Sequence, residues 1–313
     1  MTLDERIERV VTEGRAPGLH GLVVRRGGTT VLERYESGDD AMLGHAIGHV
    51  TFDRDTLHDL RSVTKSVVGI LYGIALGKGL VPEPGAPLLA QFPEYPDLAA
   101  DPARGRLTVE HVLTMTLGLD WNEDAPYTSV ANSEIAMEAA PDRYRFILER
   151  PIVEEPGRRW TYCGGASALL GAIVARGTGQ SLTAYAEQAL FGPLGITDFQ
   201  WLKGDDGIES AAAGLRLRPV DVAAIGQLML DGGRDIVPAT WVADSTRPRA
   251  DIEGEFRYGY QWYVDRRWFE AIGNGGQRLV VVPDEELVVV VTAGEYDQGQ
   301  TSAAAVLATV LNP

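Results

Sequence analysis

The stretch "LHDLRSVTKSVVGILYGIALGKGLV" (57–81) combines a long apolar run with a Ser-Val-Thr-Lys opening. From Ser62 its small and aliphatic residues run to Gly77 and Gly79 without a charged face, the pattern of a buried helix. The chain has three lysines, Lys65, Lys78 and Lys203, among 28 Lys and Arg residues, so a lysine at 65 is a minority choice. Arginine keeps its proton at any working pH. A buried lysine can lose it, which makes lysine the residue for a cation that must become a base. Ser62 precedes Lys65 by three residues, so on a helix both side chains share a face within contact range, as a nucleophile and its base would. The alternative reading of the same four residues is a helix N-terminus with an exposed lysine. Against it stand Val63, Val67, Val68 and Ile70, among which desolvation is expected to lower the Lys65 pKa.

Upstream, "MTLDERIERVVTEGRAPG" shows helical spacing at Leu3, Ile7, Val10 and Val11 and carries acids with no apolar core of a signal peptide, so it reads as a structural helix. "LHGLVVRRGGTTVLERYES" (19–37) reads as two strands around a Gly27-Gly28 turn. A loop rich in Gly, His and Asp (38–58) is expected before the Ser62 helix. Downstream, 107–119, 144–150, 166–179, 181–196 and 218–233 carry helical patterns. Strand-like segments then follow at 258–264, 266–273 and 277–294, the last split by a Pro283-Asp284 turn, and a helix at 301–312 closes the chain. Strands at both ends with helices between predict an α/β fold of the α+β type. In it an antiparallel sheet built by 1–60 and 250–313 is flanked by helices, a mainly helical lobe (61–249) is inserted, and the active site lies in the cleft between them.

Bulk properties narrow the function classes. With 313 residues and 45% hydrophobic content, the chain can build a large core. A net charge of −16 disfavours nucleic-acid and anionic membrane partners, since both need clustered Lys and Arg. No apolar run reaches membrane-spanning length, and "LVVVVT" from Leu287 is strand-sized. A single cysteine, Cys163, excludes an internal disulfide and fits a reducing compartment, so a cytoplasmic location is expected.

The rest of the chain carries a matching set of motifs: "LTVEHVLTMTLGLDW" (107–121), "WTYCGG" (160–165), "GLRLRPVDVAAIGQLML" (214–230) and "GNGGQRLVVVPDEELVVVV" (273–291). Together with "LRSVTKSVVGILYGIAL" (60–76) they resemble the serine β-lactamase and penicillin-recognising hydrolase superfamily. The closest resemblance is to the class C-like branch of esterases, DD-peptidases and 6-aminohexanoate-dimer hydrolases. In that superfamily the serine of S-x-x-K is acylated. The resemblance implies a β-lactamase/transpeptidase-like fold, Ser62 as nucleophile, Lys65 as its base and Tyr162 as the tyrosine of a Tyr-x-Asn element. It also implies an oxyanion hole from the backbone N–H groups of Ser62 and Gln277. Asn274, Gly275 and Gly276 take the place of a Lys-Thr-Gly motif and, with Trp121, are the candidate substrate-binding residues. Two departures stand out, Gly164 for the asparagine of the tyrosine motif and Asn274 for the lysine. They remove groups that hold a β-lactam's amide and carboxylate and leave the serine chemistry in place.

Other residues carry less. Cys163 reads as a small buried hydrophobe. His45 and His49 are four apart and lack a third metal ligand at a recognised spacing. "GNGGQ" runs into a strand and so is not a phosphate loop. The expected protein is a serine hydrolase cleaving a small ester or amide, with a small molecule as its partner and neither metal nor organic cofactor. Its rivals are a true β-lactamase or DD-peptidase and a catalytically silent binding protein on the same fold.

Overall fold

The computed structural model describes residues 1–252 and 256–312. One eight-stranded sheet runs in the order Thr29–Tyr35, Leu19–Arg26, Leu287–Ala293, Gln277–Val282, Phe269–Gly273, Tyr263–Val264, Arg257–Tyr258, Ala250–Asp251. Every neighbouring pair is antiparallel. N-terminal strands therefore pair directly with C-terminal ones, as the sequence predicts.

Both faces of this sheet are covered, which explains a strand as uniformly apolar as "LVVVV". Side chains alternate across a strand. Leu22, Val24, Val280, Val282, Val289 and Val291 form one core with Ile7, Val10, Val306 and Val310 of the terminal helices Leu3–Thr12 and Thr301–Leu311. Val23, Leu279, Val281, Val288 and Val290 join a second, larger core with the remaining helices. The helix Pro219–Leu230, which the sequence reading groups with the inserted lobe, packs on this second face of the sheet. A Cβ at its Gly226 would stand 2.6 Å from Leu279 and 2.7 Å from Val288, so glycine permits the close approach.

The helix Val63–Gly77 lies at the centre of the larger core, with residues 63–75 all buried. Its glycines at 69, 73 and 77 line one face, where a Cβ would meet Gln261, Trp241 and Pro238 respectively. Trp241 Nε1 also donates to the Gly69 carbonyl at 3.0 Å. Ser66 Oγ donates to the Gln261 carbonyl at 2.6 Å, tying the first turn of the helix to the connection between strands Arg257–Tyr258 and Tyr263–Val264.

Three segments differ from the sequence reading. The expected loop 38–58 contains an antiparallel ribbon of Ser37–Met42 and His45–Thr51 and a short strand at His58–Asp59. The ribbon is largely exposed and has no apolar face from which a period of two could be read. The helical pattern of 107–119 yields only Val109–Leu113, because Met115 and Gly118 adopt positive φ of 54° and 71°. The strand pattern of 258–264 is interrupted between Tyr258 and Tyr263. Among the described residues, no helix is long and apolar enough to cross a membrane.

Candidate active site

Ser62 is the N-cap residue of the helix Val63–Gly77 and is half-buried. Arg61 before it has a φ of +48°, a left-handed conformation that costs a non-glycine residue about 1–3 kcal/mol. Its surroundings hold it there. The Asp59 carboxylate accepts the backbone N–H of Arg61 at 3.0 Å and that of Leu43 at 2.8 Å, while Leu60 N–H donates to the Leu215 carbonyl at 3.0 Å. No acceptor among the described residues takes the Ser62 N–H.

Lys65, one turn along the helix, is 2% exposed. Its Nζ donates to Ser62 Oγ at 3.0 Å, to the Ala212 carbonyl at 2.8 Å and to Glu134 Oε2 at 3.3 Å. These three bonds use all three hydrogens of an ammonium group. The Tyr162 ring lies beside the same nitrogen, its centroid 5.0 Å away.

The electrostatics correct one sequence expectation. Burial does favour the neutral amine, but Glu134, Tyr162 and Glu123 outweigh it and hold the Lys65 pKa above its ordinary value. The valines around Lys65 are present as expected; the buried carboxylate was not foreseen. Burial likewise raises the Tyr162 hydroxyl, only partly opposed by Lys65, so Tyr162 is a phenol at neutral pH.

Two glutamates unmarked by any motif complete the cluster. Glu134 sits in the short helix Ser133–Glu138, whose N-cap Asn132 accepts the Glu134 N–H at 2.9 Å. Glu123 accepts from Trp121 Nε1 at 2.6 Å, from Tyr127 OH at 2.9 Å and from the Gly164 N–H. Burial, then the neighbouring Glu134, push the Glu123 carboxyl up to about 7, against the pull of Lys65. Gly164 now has a physical reason: a Cβ there would lie 2.0 Å from Glu134 Oε2.

Asn274, Gly275 and Gly276 form the tight turn joining strands Phe269–Gly273 and Gln277–Val282. Gly275 and Gly276 have φ of 91° and 95°, and a Cβ at Gly275 would strike the Tyr296 ring at 2.6 Å. A Cβ at Gly273 would lie 2.5 Å from the Leu60 carbonyl, so this end of the hairpin abuts the chain leading into Ser62. The Gln277 side chain is buried and pairs with the Ala293 backbone at 2.7 and 3.1 Å. The Asn274 side chain is bonded to Asp297. Arg278, a nearby cation, is held by Glu270 and Gln300, each at 3.2 Å.

Two cavities reach the neighbours of the Ser62–Lys65 pair, one at Tyr162 and the other at Arg61 and Glu134. One of about 760 Å³ is lined by Trp121, Glu123, Trp160, Tyr162, Tyr263 and Ile272. The other, of about 330 Å³, is lined by Arg61, Tyr127, Glu134, Glu138, Lys203 and Ser210. Cys163 is buried and burial raises its thiol pKa. His45 and His49 lie on the exposed ribbon. The histidines that meet are His20 and His58, whose ring nitrogens lie 2.9 Å apart with Asp40 nearby. His58 Nδ1 also faces the Asp59 carbonyl at 3.0 Å, and burial keeps both rings neutral, so the contact is a hydrogen bond between imidazoles.

The family model described as "Beta-lactamase" matches residues 3–310. A 6-aminohexanoate-dimer hydrolase from Paenarthrobacter ureafaciens is 27% identical over 92% of this chain and 74% of its own length. The esterase EstB from Burkholderia gladioli is 29% identical over 63% of this chain and 50% of its own. The crystal structure of a β-lactamase/D-alanine carboxypeptidase from Pseudomonas syringae superposes with a TM-score of 0.75 at 15% identity, covering 99% of this chain and 98% of that one. A chain matched by the family model over nearly its whole length, with the same fold, belongs to the β-lactamase family.

Proposed function

We propose that this protein is a serine hydrolase that cleaves a small ester or amide through an acyl-enzyme on Ser62. The observation that carries the reading is the 3.0 Å contact between Lys65 Nζ and Ser62 Oγ. A hydroxyl is a weak nucleophile until a base takes its proton, and the leaving group needs a proton in return. Lys65 serves the first step and Tyr162, a phenol whose ring lies beside Lys65, the second. The backbone N–H groups of Ser62 and Gln277 hold the oxyanion. The reaction needs neither metal nor organic cofactor, and the partner is a small molecule.

Similarity to a 6-aminohexanoate-dimer hydrolase and to an esterase supports amide and ester substrates. The commitment of Asn274 to Asp297 and of Arg278 to Glu270 speaks against a dedicated β-lactamase or DD-peptidase, which needs a group for the substrate carboxylate. A fluorophosphonate probe tests the reading. Mass added to the peptide containing "SVTK", at Ser62, is the expected result. No label on protein shown to be folded would favour a silent binding protein.

A further inference from the structure

We infer that Glu134 is a positioning residue that holds a proton for Lys65, and that residue 164 is glycine to leave its carboxylate room. The inference rests on the serine-hydrolase reading above. Lys65 faces Ser62 with all three ammonium hydrogens engaged and therefore has no lone pair for the serine proton. One of those hydrogens points at Glu134 Oε2, 3.3 Å away, and the side chains of the ion pair are only 3% and 5% exposed. Of the three acceptors around Lys65 Nζ, a carbonyl, the nucleophile itself and this carboxylate, only the carboxylate can take up a proton. The place of Glu134 is itself specific, since any Cβ at residue 164 would displace Oε2.

The proton inventory closes. As Ser62 Oγ bonds to the substrate carbonyl carbon, its proton passes to Lys65 Nζ while Lys65 gives one to Glu134 Oε2. Lys65 remains an ammonium, Glu134 becomes a carboxylic acid, and the negative charge moves to the carbonyl oxygen. When the intermediate collapses, the bond to the leaving group breaks, Glu134 returns the proton through Lys65, and Tyr162 passes it on to the leaving group. The charged and titratable groups facing Glu134 are Lys65 on the Ser62 helix, Tyr162 beside Gly164, Glu123 and Tyr127 on the preceding loop, Glu138 on its own helix, and Arg61 and Lys203 across the smaller cavity.

A purely structural ion pair would stabilise the fold without altering how acylation depends on pH, and this separates the two roles. The rate of Ser62 labelling by a fluorophosphonate is to be followed from about pH 5 to pH 10 for the wild type, Glu134→Gln and Gly164→Ala. Glu134→Gln is expected to label at least about 10²-fold more slowly at neutral pH. It should recover as pH rises, because Lys65, still faced by Glu123, must then release its proton to solvent. Gly164→Ala removes no ionisable group, and the three atoms nearest its new Cβ all belong to the Glu134 side chain. It should fold, displace the carboxylate and show the same slowing with the same alkaline recovery. A folded variant with the wild-type profile, or one slowed equally at every pH, overturns the inference. Should Glu134→Gln fail to fold, Gly164→Ala decides alone. An unlabelled wild type would instead refute the serine-hydrolase reading itself.

Discussion

Asn274 and Asp297 exchange two hydrogen bonds: Asn274 Nδ2 donates to Asp297 Oδ1 at 2.7 Å, and the Asp297 N–H donates to Asn274 Oδ1 at 2.9 Å. Both polar ends of the amide are thus committed within the protein. Each missing charge-assisted hydrogen bond to a β-lactam is worth roughly 1.5–3 kcal/mol, so losing two costs about two to four powers of ten in kcat/KM. Short activated esters depend mainly on the nucleophile and the oxyanion hole. A p-nitrophenyl ester of a short acid should therefore be turned over at least about 10²-fold more efficiently than a chromogenic cephalosporin, with no effect of chelators. Equal or better cephalosporin turnover would show that another group holds the carboxylate, with Arg278→Ala the first variant to measure.

Lys65→Arg keeps the positive charge yet should abolish acylation. A guanidinium does not give up its proton in the working range, and it cannot reproduce three bonds that diverge from one nitrogen. A loss of at least about 10²-fold in ester hydrolysis is expected from removing a general acid–base group. Near-normal activity in the arginine variant would reduce Lys65 to an electrostatic support.

Tyr162→Phe removes only a hydroxyl from a ring that packs against Trp160, at 6.1 Å between centroids. Stability should change little, while kcat falls about 10²-fold or more. Steady-state kinetics on the ester check this; a loss below about threefold would make Tyr162 a wall of the larger cavity and nothing more.

Glu123 makes stability depend on pH. Its carboxyl, ordinarily near 4.5, holds its proton up to about 7 in the folded protein. Across that interval the unfolded chain has lost the proton and the folded one has not. The contribution is therefore fully present below the unfolded value and is lost as pH rises through the folded one. Thermal unfolding of the wild type and Glu123→Gln at about pH 5 and pH 8 measures the difference. The wild type should lose more stability than the variant on going to the higher pH, and parallel behaviour would show that Glu123 titrates normally.

Some of this protein is written locally. Ser62 and Lys65 could be paired from sequence because one helical turn brings them together whatever else the chain does, and the 3.0 Å contact is that turn made visible. The apolar runs 277–282 and 287–293 likewise announce strands by their own composition and by the turn between them. Strands at both ends of the chain, with helices between, were enough to place the termini in one antiparallel sheet. Tyr162 and Gln277 were located by motif resemblance rather than by any periodicity of their own.

The tertiary structure decided the rest. Glu134 is 69 residues from Lys65, in a six-residue helix whose sequence, "SEIAME", reads like any solvated helical turn. Nothing local distinguishes a glutamate that will be buried against a cation from one that will face water. The Lys65 pKa therefore could not be read from its valine neighbours, because groups brought in from elsewhere in the chain, Glu134 first among them, reverse the direction that desolvation alone would set. Asn274 was expected, from the resemblance, in the place of the motif lysine, and only the folded loop showed its amide bonded to Asp297. Helices, strands and turns follow from short-range periodicity and backbone preference; the protonation and reach of a catalytic group depend on which distant charges the fold brings within a few ångströms.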